Sequence, residues 1–112
     1  MYKVRFYIAR NGRSPIKDFI DSAQKSLRAK VTKQINTLQQ FDLTVENPYL
    51  RKVSGTPLWE SRILGKDSTR IICVTVVNKE IVIIHIFRKK DNKMSSRDLK
   101  ISLKRYKEEL DK

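Results

Sequence analysis

The sequence predicts an α+β fold in the order β-α-α-β-β-β-α, with a mostly antiparallel four-stranded sheet, an N-terminal helical hairpin and a C-terminal helix. Three observations predict it. Apolar residues alternate with polar ones at the N-terminus, and three apolar segments follow one another in the C-terminal half. Apolar residues at helical spacing fill two segments after the first strand and one at the end. Turn-forming stretches separate these segments, the longest of them an irregular connection from Asp42 to Pro57. A chain of 112 residues is expected to form a single domain spanning residues 1–112.

The first strand rests on Tyr2, Val4, Phe6 and Ile8, which recur at every second position with Lys3, Arg5 and Tyr7 between them. After the turn Arg10-Asn11-Gly12-Arg13, Ser14 and Pro15 supply an N-cap and a first helical position where proline's missing N–H costs nothing. A helix to about Ala23 then buries Ile16, Phe19 and Ile20. Ser26 is read as the cap of a second helix, along which Leu27, Val31, Ile35 and Leu38 share one side. From Asp42 to Pro57 the periodicity lapses, and this stretch is read as an irregular connection carrying the paired bases Arg51 and Lys52.

Leu58 to Leu64, Arg70 to Val77 and Glu80 to Phe87 are read as consecutive strands joined by Gly65-Lys66-Asp67-Ser68 and Asn78-Lys79. The last is apolar on both faces, which places it inside the sheet with something packed on each side. Ser95 caps the final helix, with Asp98 three residues on and Leu99, Leu103, Tyr106 and Leu110 as its apolar stripe.

Charge narrows the function. Twenty-five Lys and Arg against twelve Asp and Glu leave a net charge of +13, which calls for a polyanionic partner. Between Arg88 and Lys107 stand nine basic residues and only Asp91 and Asp98 to oppose them. A phosphate backbone fits this run better than a solvated helix face, on which the signs usually mix. A single cysteine, Cys73, can form neither an internal disulfide nor a cysteine metal cluster, so no metal site is expected and a reducing cytoplasm is the natural setting. The N-terminus lacks the apolar core of a secretion signal, no apolar run is long enough to span a bilayer, and no membrane partner is expected.

Some residues invite chemistry and others do not. Arg62, in mid-strand, must be paired with Glu60, open to a ligand, or both, because a buried unpaired charge is costly. RNA can be cut when its own 2′-hydroxyl attacks the adjacent phosphate, which requires help with a proton, stabilisation of the phosphorane and protonation of the leaving oxygen. Arg suits the charge, and a Lys crowded by cations can exchange a proton; Lys89 and Lys90 beside Arg88 and Lys93 form such a crowd. His85, among apolar neighbours, reads as a hydrogen-bonded core histidine, Cys73 as a small hydrophobe and Trp59 as core.

Leu58-Trp59-Glu60-Ser61-Arg62, Thr69-Arg70-Ile71-Ile72 and His85-Ile86-Phe87-Arg88-Lys89-Lys90 resemble the HigB-type, phage Gp49-like branch of the RelE/ParE toxin superfamily. Ser14-Pro15-Ile16-Lys17-Asp18-Phe19-Ile20 resembles that family's first helix, and Asn47-Pro48-Tyr49-Leu50-Arg51-Lys52-Val53 its connection into the sheet. The resemblance implies a RelE-like fold and a toxin of a type II toxin–antitoxin system. Such a toxin is a cofactor-independent endoribonuclease that cuts mRNA in the A site of the 70S ribosome and is held in a hetero-oligomer by a HigA-like helix-turn-helix antitoxin.

It further implies that Arg62, Arg70, Lys89 and Lys90 act on the scissile phosphate. The basic residues Arg51, Lys52, Arg88, Lys93, Arg97, Lys100 and Lys104 would then meet RNA or ribosome. Glu60 stands where more distant relatives have a basic residue, and Cys73 where an aromatic is common. Two other classes compete: a non-catalytic RNA-binding module resembling a double-stranded RNA-binding domain, and a protein that docks an acidic partner.

Overall fold

The computed structural model describes residues 2–40, 43, 48–63, 65, 68–76, 79–89 and 94–112. Their elements are β1 (Lys3–Phe6), α1 (Pro15–Ser22), α2 (Lys25–Gln40), β2 (Leu50–Lys52), β3 (Trp59–Arg62), β4 (Thr69–Val76), β5 (Glu80–Arg88) and α3 (Ser96–Leu110). The five strands form one sheet in the order β1-β5-β4-β3-β2. β1 runs parallel to β5 and every other pair is antiparallel.

The expected four-stranded sheet is therefore corrected to five. β2 lies inside the stretch read as irregular: three residues, two of them exposed cations, are too short to show an alternation. It pairs Leu50 with Ser61, Arg51 with Glu60 and Lys52 with Trp59. A short charged strand is also a usual way to end a sheet without inviting aggregation.

Ser14 caps α1 as expected, its hydroxyl accepting from Lys17 N, and Pro15 occupies the first turn. Ser26 does not cap α2: the helix begins at Lys25, and Arg28 N already bonds Gln24 O. Leu27, Val31 and Leu38 are buried along α2, with Ile35 packed against them. Gln34 of α2 donates to Ser61 Oγ at 2.6 Å. Successive residues of a strand point to opposite faces, so α2 covers the face of Ser61 and leaves Glu60 on the other.

That other face belongs to α3. The register aligns Glu60 with Ile72 and Ile72 with His85, and α3 bonds His85 through Asp98 and Arg105. β5 is accordingly covered on both sides, and Ile81 to Phe87 are all buried. A register shift between Ile72 and Cys73 leaves Ile84 without a Cα partner and bends the pair locally.

Two stripes differ from expectation. In β1 and the residue after it, Arg5 and Tyr7 face α3, Tyr7 is buried, and Ile8 is 52% exposed. Arg5 bridges Glu80 and Glu109 at 2.6 and 2.7 Å, and Tyr7 donates to Glu108. In α3 the buried residues are Ser102 and Glu109, whereas Leu103 and Leu110 of the anticipated apolar stripe are exposed. The helix is turned so that Asp98, Ser102, Arg105 and Glu109 meet the sheet, because this part of the sheet offers charged and polar partners.

Candidate active site

On the α3-facing side, β3 contributes Glu60 and β4 contributes Arg70; Arg62, the last residue of β3, is the direct cross-strand partner of Arg70, but its side chain turns toward α2. Beyond β5, Lys89 N donates to Ser68 O at 2.9 Å, which holds the chain against the turn before β4. The result is a three-residue cluster. Glu60 Oε1 lies 3.7 Å from Arg70 Nε and 3.7 Å from Lys89 Nζ. The three side chains are 5%, 16% and 8% exposed respectively. Charges so far from water persist only when they neutralise one another.

The cluster is under-bonded. A separation of 3.7 Å is an ion pair but not a hydrogen bond. Glu60 Oε1 and Arg70 Nε have no hydrogen-bond partner among the described residues, and Arg70 is anchored instead by Nη1 donating to Thr69 O at 3.0 Å. A carboxylate with an unused lone pair can accept a proton, and two cations beside it can bind a phosphoryl oxygen.

Of the alternatives open for Arg62, pairing with Glu60 is not the one formed. Two arginines directly opposite each other repel, so they take different partners. Arg70 turns to Glu60. Arg62 Nη2 donates to Pro48 O at 3.2 Å and lines a separate cavity with Lys30, Lys33, Gln34, Tyr49 and Ile63. Of the four residues expected at the scissile phosphate, the structure brings Arg70 and Lys89 together and sets Arg62 apart; Lys90 lies outside the described residues. Glu60, which the sequence offers as a partner of Arg62, is instead the anion between Arg70 and Lys89. The signal that could have raised it was a carboxylate held in mid-strand on the same face as the basic residues.

The other expected contacts are spread out. Arg51 is exposed on the rung of Glu60. Lys52 is exposed on the opposite face, its Nζ 5.2 Å from the centroid of the half-buried Trp59 ring. Arg88 is exposed at the end of β5, and Arg97, Lys100 and Lys104 are exposed along α3. Lys93 lies outside the described residues.

His85 is a buried, hydrogen-bonded histidine, as read from the sequence, although its partners are charged. Nε2 lies 2.8 Å from Asp98 Oδ1, and Nδ1 lies 3.2 Å from Arg105 Nη1, which also donates to Ile84 O. Guanidinium has only protons to offer, so Nδ1 accepts and Nε2 carries the hydrogen donated to Asp98. Burial, reinforced by Arg105 and opposed by Asp98, pushes the imidazole below its ordinary value. Burial alone would raise the Asp98 carboxyl, but hydrogen bonds from Ser95 and His85 outweigh it and hold the group below the usual range. Cys73 is fully buried and its thiol is pushed up to about 12, so it serves as packing. Among the described residues no group of three or more His, Cys, Asp or Glu could hold a metal ion. Nor is any described helix long and apolar enough to cross a membrane.

Comparison with known proteins adds a fold and a family. The chain is similar to the free-state structure of a double-arginine-to-alanine mutant of the E. coli toxin RelE. The TM-score is 0.65 at 15% identity, over 93% of this chain and 96% of that one. This likeness is one of fold: α+β, with the mixed sheet and helices described above. No curated protein matches. Residues 18–107 match the family described as phage derived protein Gp49-like. That match takes in every element from within α1 to most of α3, and the chain belongs to the Gp49-like family of phage-derived proteins.

Proposed function

We propose that this protein is a HigB-type toxin of a type II toxin–antitoxin system, a cytoplasmic endoribonuclease that cuts mRNA in the ribosomal A site. The observation that supports this most is the meeting of Arg70 and Lys89 at the Glu60 carboxylate, on the face of a basic, RelE-like sheet.

In the proposed reaction Glu60 accepts the proton of a ribose 2′-hydroxyl, and the freed oxygen attacks the adjacent phosphorus. Arg70 and Lys89 stabilise the charge on the phosphorane. The bond to the 5′-oxygen breaks, and that oxygen takes a proton from the Lys89 ammonium. The products are a 2′,3′-cyclic phosphate and a 5′-hydroxyl. Side chains alone supply each proton. Arg51, Lys52, Arg88, Arg97, Lys100 and Lys104 make the wider basic surface that meets mRNA and the 70S ribosome, Lys93 is assigned to the same contacts, and Lys90 stays assigned to the scissile phosphate. A HigA-like helix-turn-helix antitoxin, bound in a hetero-oligomer, is the partner that neutralises the protein.

Expression of the chain without an antitoxin should arrest growth and translation. Arg70→Ala and Lys89→Ala should relieve the arrest while the protein stays folded, as judged by circular dichroism. Undiminished toxicity in both variants would refute the site. Tight binding to naked duplex RNA with no effect on translation would replace the reading with a non-catalytic RNA-binding one.

A further inference from the structure

The cavity that holds Arg62 is chemically distinct from the Glu60 cluster. Its volume is about 220 Å³, and its described walls are Lys30 and Lys33 on successive turns of α2, Gln34, Tyr49, Arg62 and Ile63. Three cations, Lys30, Lys33 and Arg62, line it, and it is separate from the cluster in which Arg70 and Lys89 meet Glu60. Gln34 is fixed by its bond to Ser61, Arg62 is steadied by the Pro48 carbonyl, and Tyr49 stands 41% exposed. Lys30 also approaches the turn: its Nζ lies 2.6 Å from where a Cβ on Gly65 would stand, space that only glycine leaves free.

We propose that this cavity is a second phosphate subsite. It would take a phosphodiester of single-stranded RNA that neighbours the cut linkage, with Tyr49 as a stacking surface for the attached base. Arg62 is then a binding residue that acts with Lys33, and it does not touch the reacting phosphate. Arg62 is the last residue of β3, and its cavity opens on the α2 side of that sheet end, whereas the Glu60 cluster lies on the α3 side, so an RNA strand would reach both by passing over the end of β3. The subsite deepens the reading of the protein as a ribonuclease, but phosphate binding there does not require that cleavage occur.

The test uses the full chain and a short single-stranded RNA whose 2′-hydroxyls are methylated, so that it cannot be cut. Affinity is followed by fluorescence anisotropy across a salt series. Arg62→Gln and Lys33→Gln should each weaken binding roughly tenfold at low salt. Each should also lower the slope of log affinity against log salt by about 0.7, the value for one lost contact to single-stranded RNA. Lys33 is an exposed helical residue, so its replacement should leave the fold intact, as circular dichroism would check. On ribosomes, Arg62→Gln should raise KM and leave kcat close to wild type. Unchanged affinity and slope in both variants would overturn the subsite. So would an Arg62→Gln protein that binds as wild type but has lost kcat, because Arg62 would then serve the reacting phosphate. Slope losses in a protein that never cuts RNA would uphold the subsite and defeat the nuclease reading.

Discussion

Glu60 faces two cations with one carboxylate, and its replacement separates stability from chemistry. Glu60→Gln leaves Arg70 and Lys89 shielded from water without their anion, so unfolding in urea should reveal a loss of about 3 kcal/mol. The same substitution removes the proposed proton acceptor and should slow RNA cleavage by a factor of about 100 or more. Lys89→Ala should cost less stability, because Arg70 still faces the carboxylate. Gly65 makes a second, independent case. Its φ of +134° is a region that side chains avoid, and Gly65→Ala should destabilise the fold by about 1–2 kcal/mol in the same assay. The Lys30 ammonium, at the end of a flexible side chain, can move away from the new methyl, so backbone strain sets that cost. The basic residues of the site were legible in the sequence as residue types. Their partners were not, because the choice between Glu60–Arg62 and Glu60–Arg70 depends on strand register, which places the two arginines opposite one another.

The junction of β5 with α3 is polar rather than oily. Ser95 accepts from Asp98 N at 3.1 Å and donates to Asp98 Oδ2 at 2.6 Å, so it caps the helix and orients the carboxylate that binds His85. Ser95→Ala should lower stability by about 1–2 kcal/mol in chemical denaturation.

The same junction sets a pH dependence. The imidazole pKa is lower in the folded protein than in the unfolded chain, where it is about 6.5. Its contribution to stability is therefore complete above that value and is lost as pH falls through the folded pKa. Asp98, also depressed on folding, adds a further loss at more acidic pH, below the ordinary carboxylate range. Thermal midpoints measured against pH should fall in the mildly acidic range, and His85→Gln should flatten that first decline.

The strands and helices were readable because their apolar residues repeat at the right periods. β2 and the rotation of α3 were not. The first is too short to repeat, and the second follows from Arg5, His85 and Glu80 lying on the sheet beneath it.

With a net charge of +13, the protein strains against its own field and attracts any polyanion. Salt should therefore act in opposite directions on two properties of the same sample. Screening should raise the thermal midpoint between low and physiological ionic strength, while RNA affinity should fall steeply over that interval. A midpoint that drops in parallel with affinity would mean that the basic groups are already neutralised within the fold. The α+β class, the order of the principal elements and the basic surface could all be read before any coordinates, because periodicity and charge are local properties. The gathering of Glu60, Arg70 and Lys89 from three separate segments could not.

The most direct measurement is to add the purified protein to ribosomes programmed with a defined mRNA and to map the ends of the RNA fragments. Cuts should fall within the A-site codon, leave a 2′,3′-cyclic phosphate and a 5′-hydroxyl, and disappear with Arg70→Ala and with Lys89→Ala. Intact mRNA on ribosomes saturated with the wild-type protein, or equal cutting by both variants, would contradict the proposed chemistry.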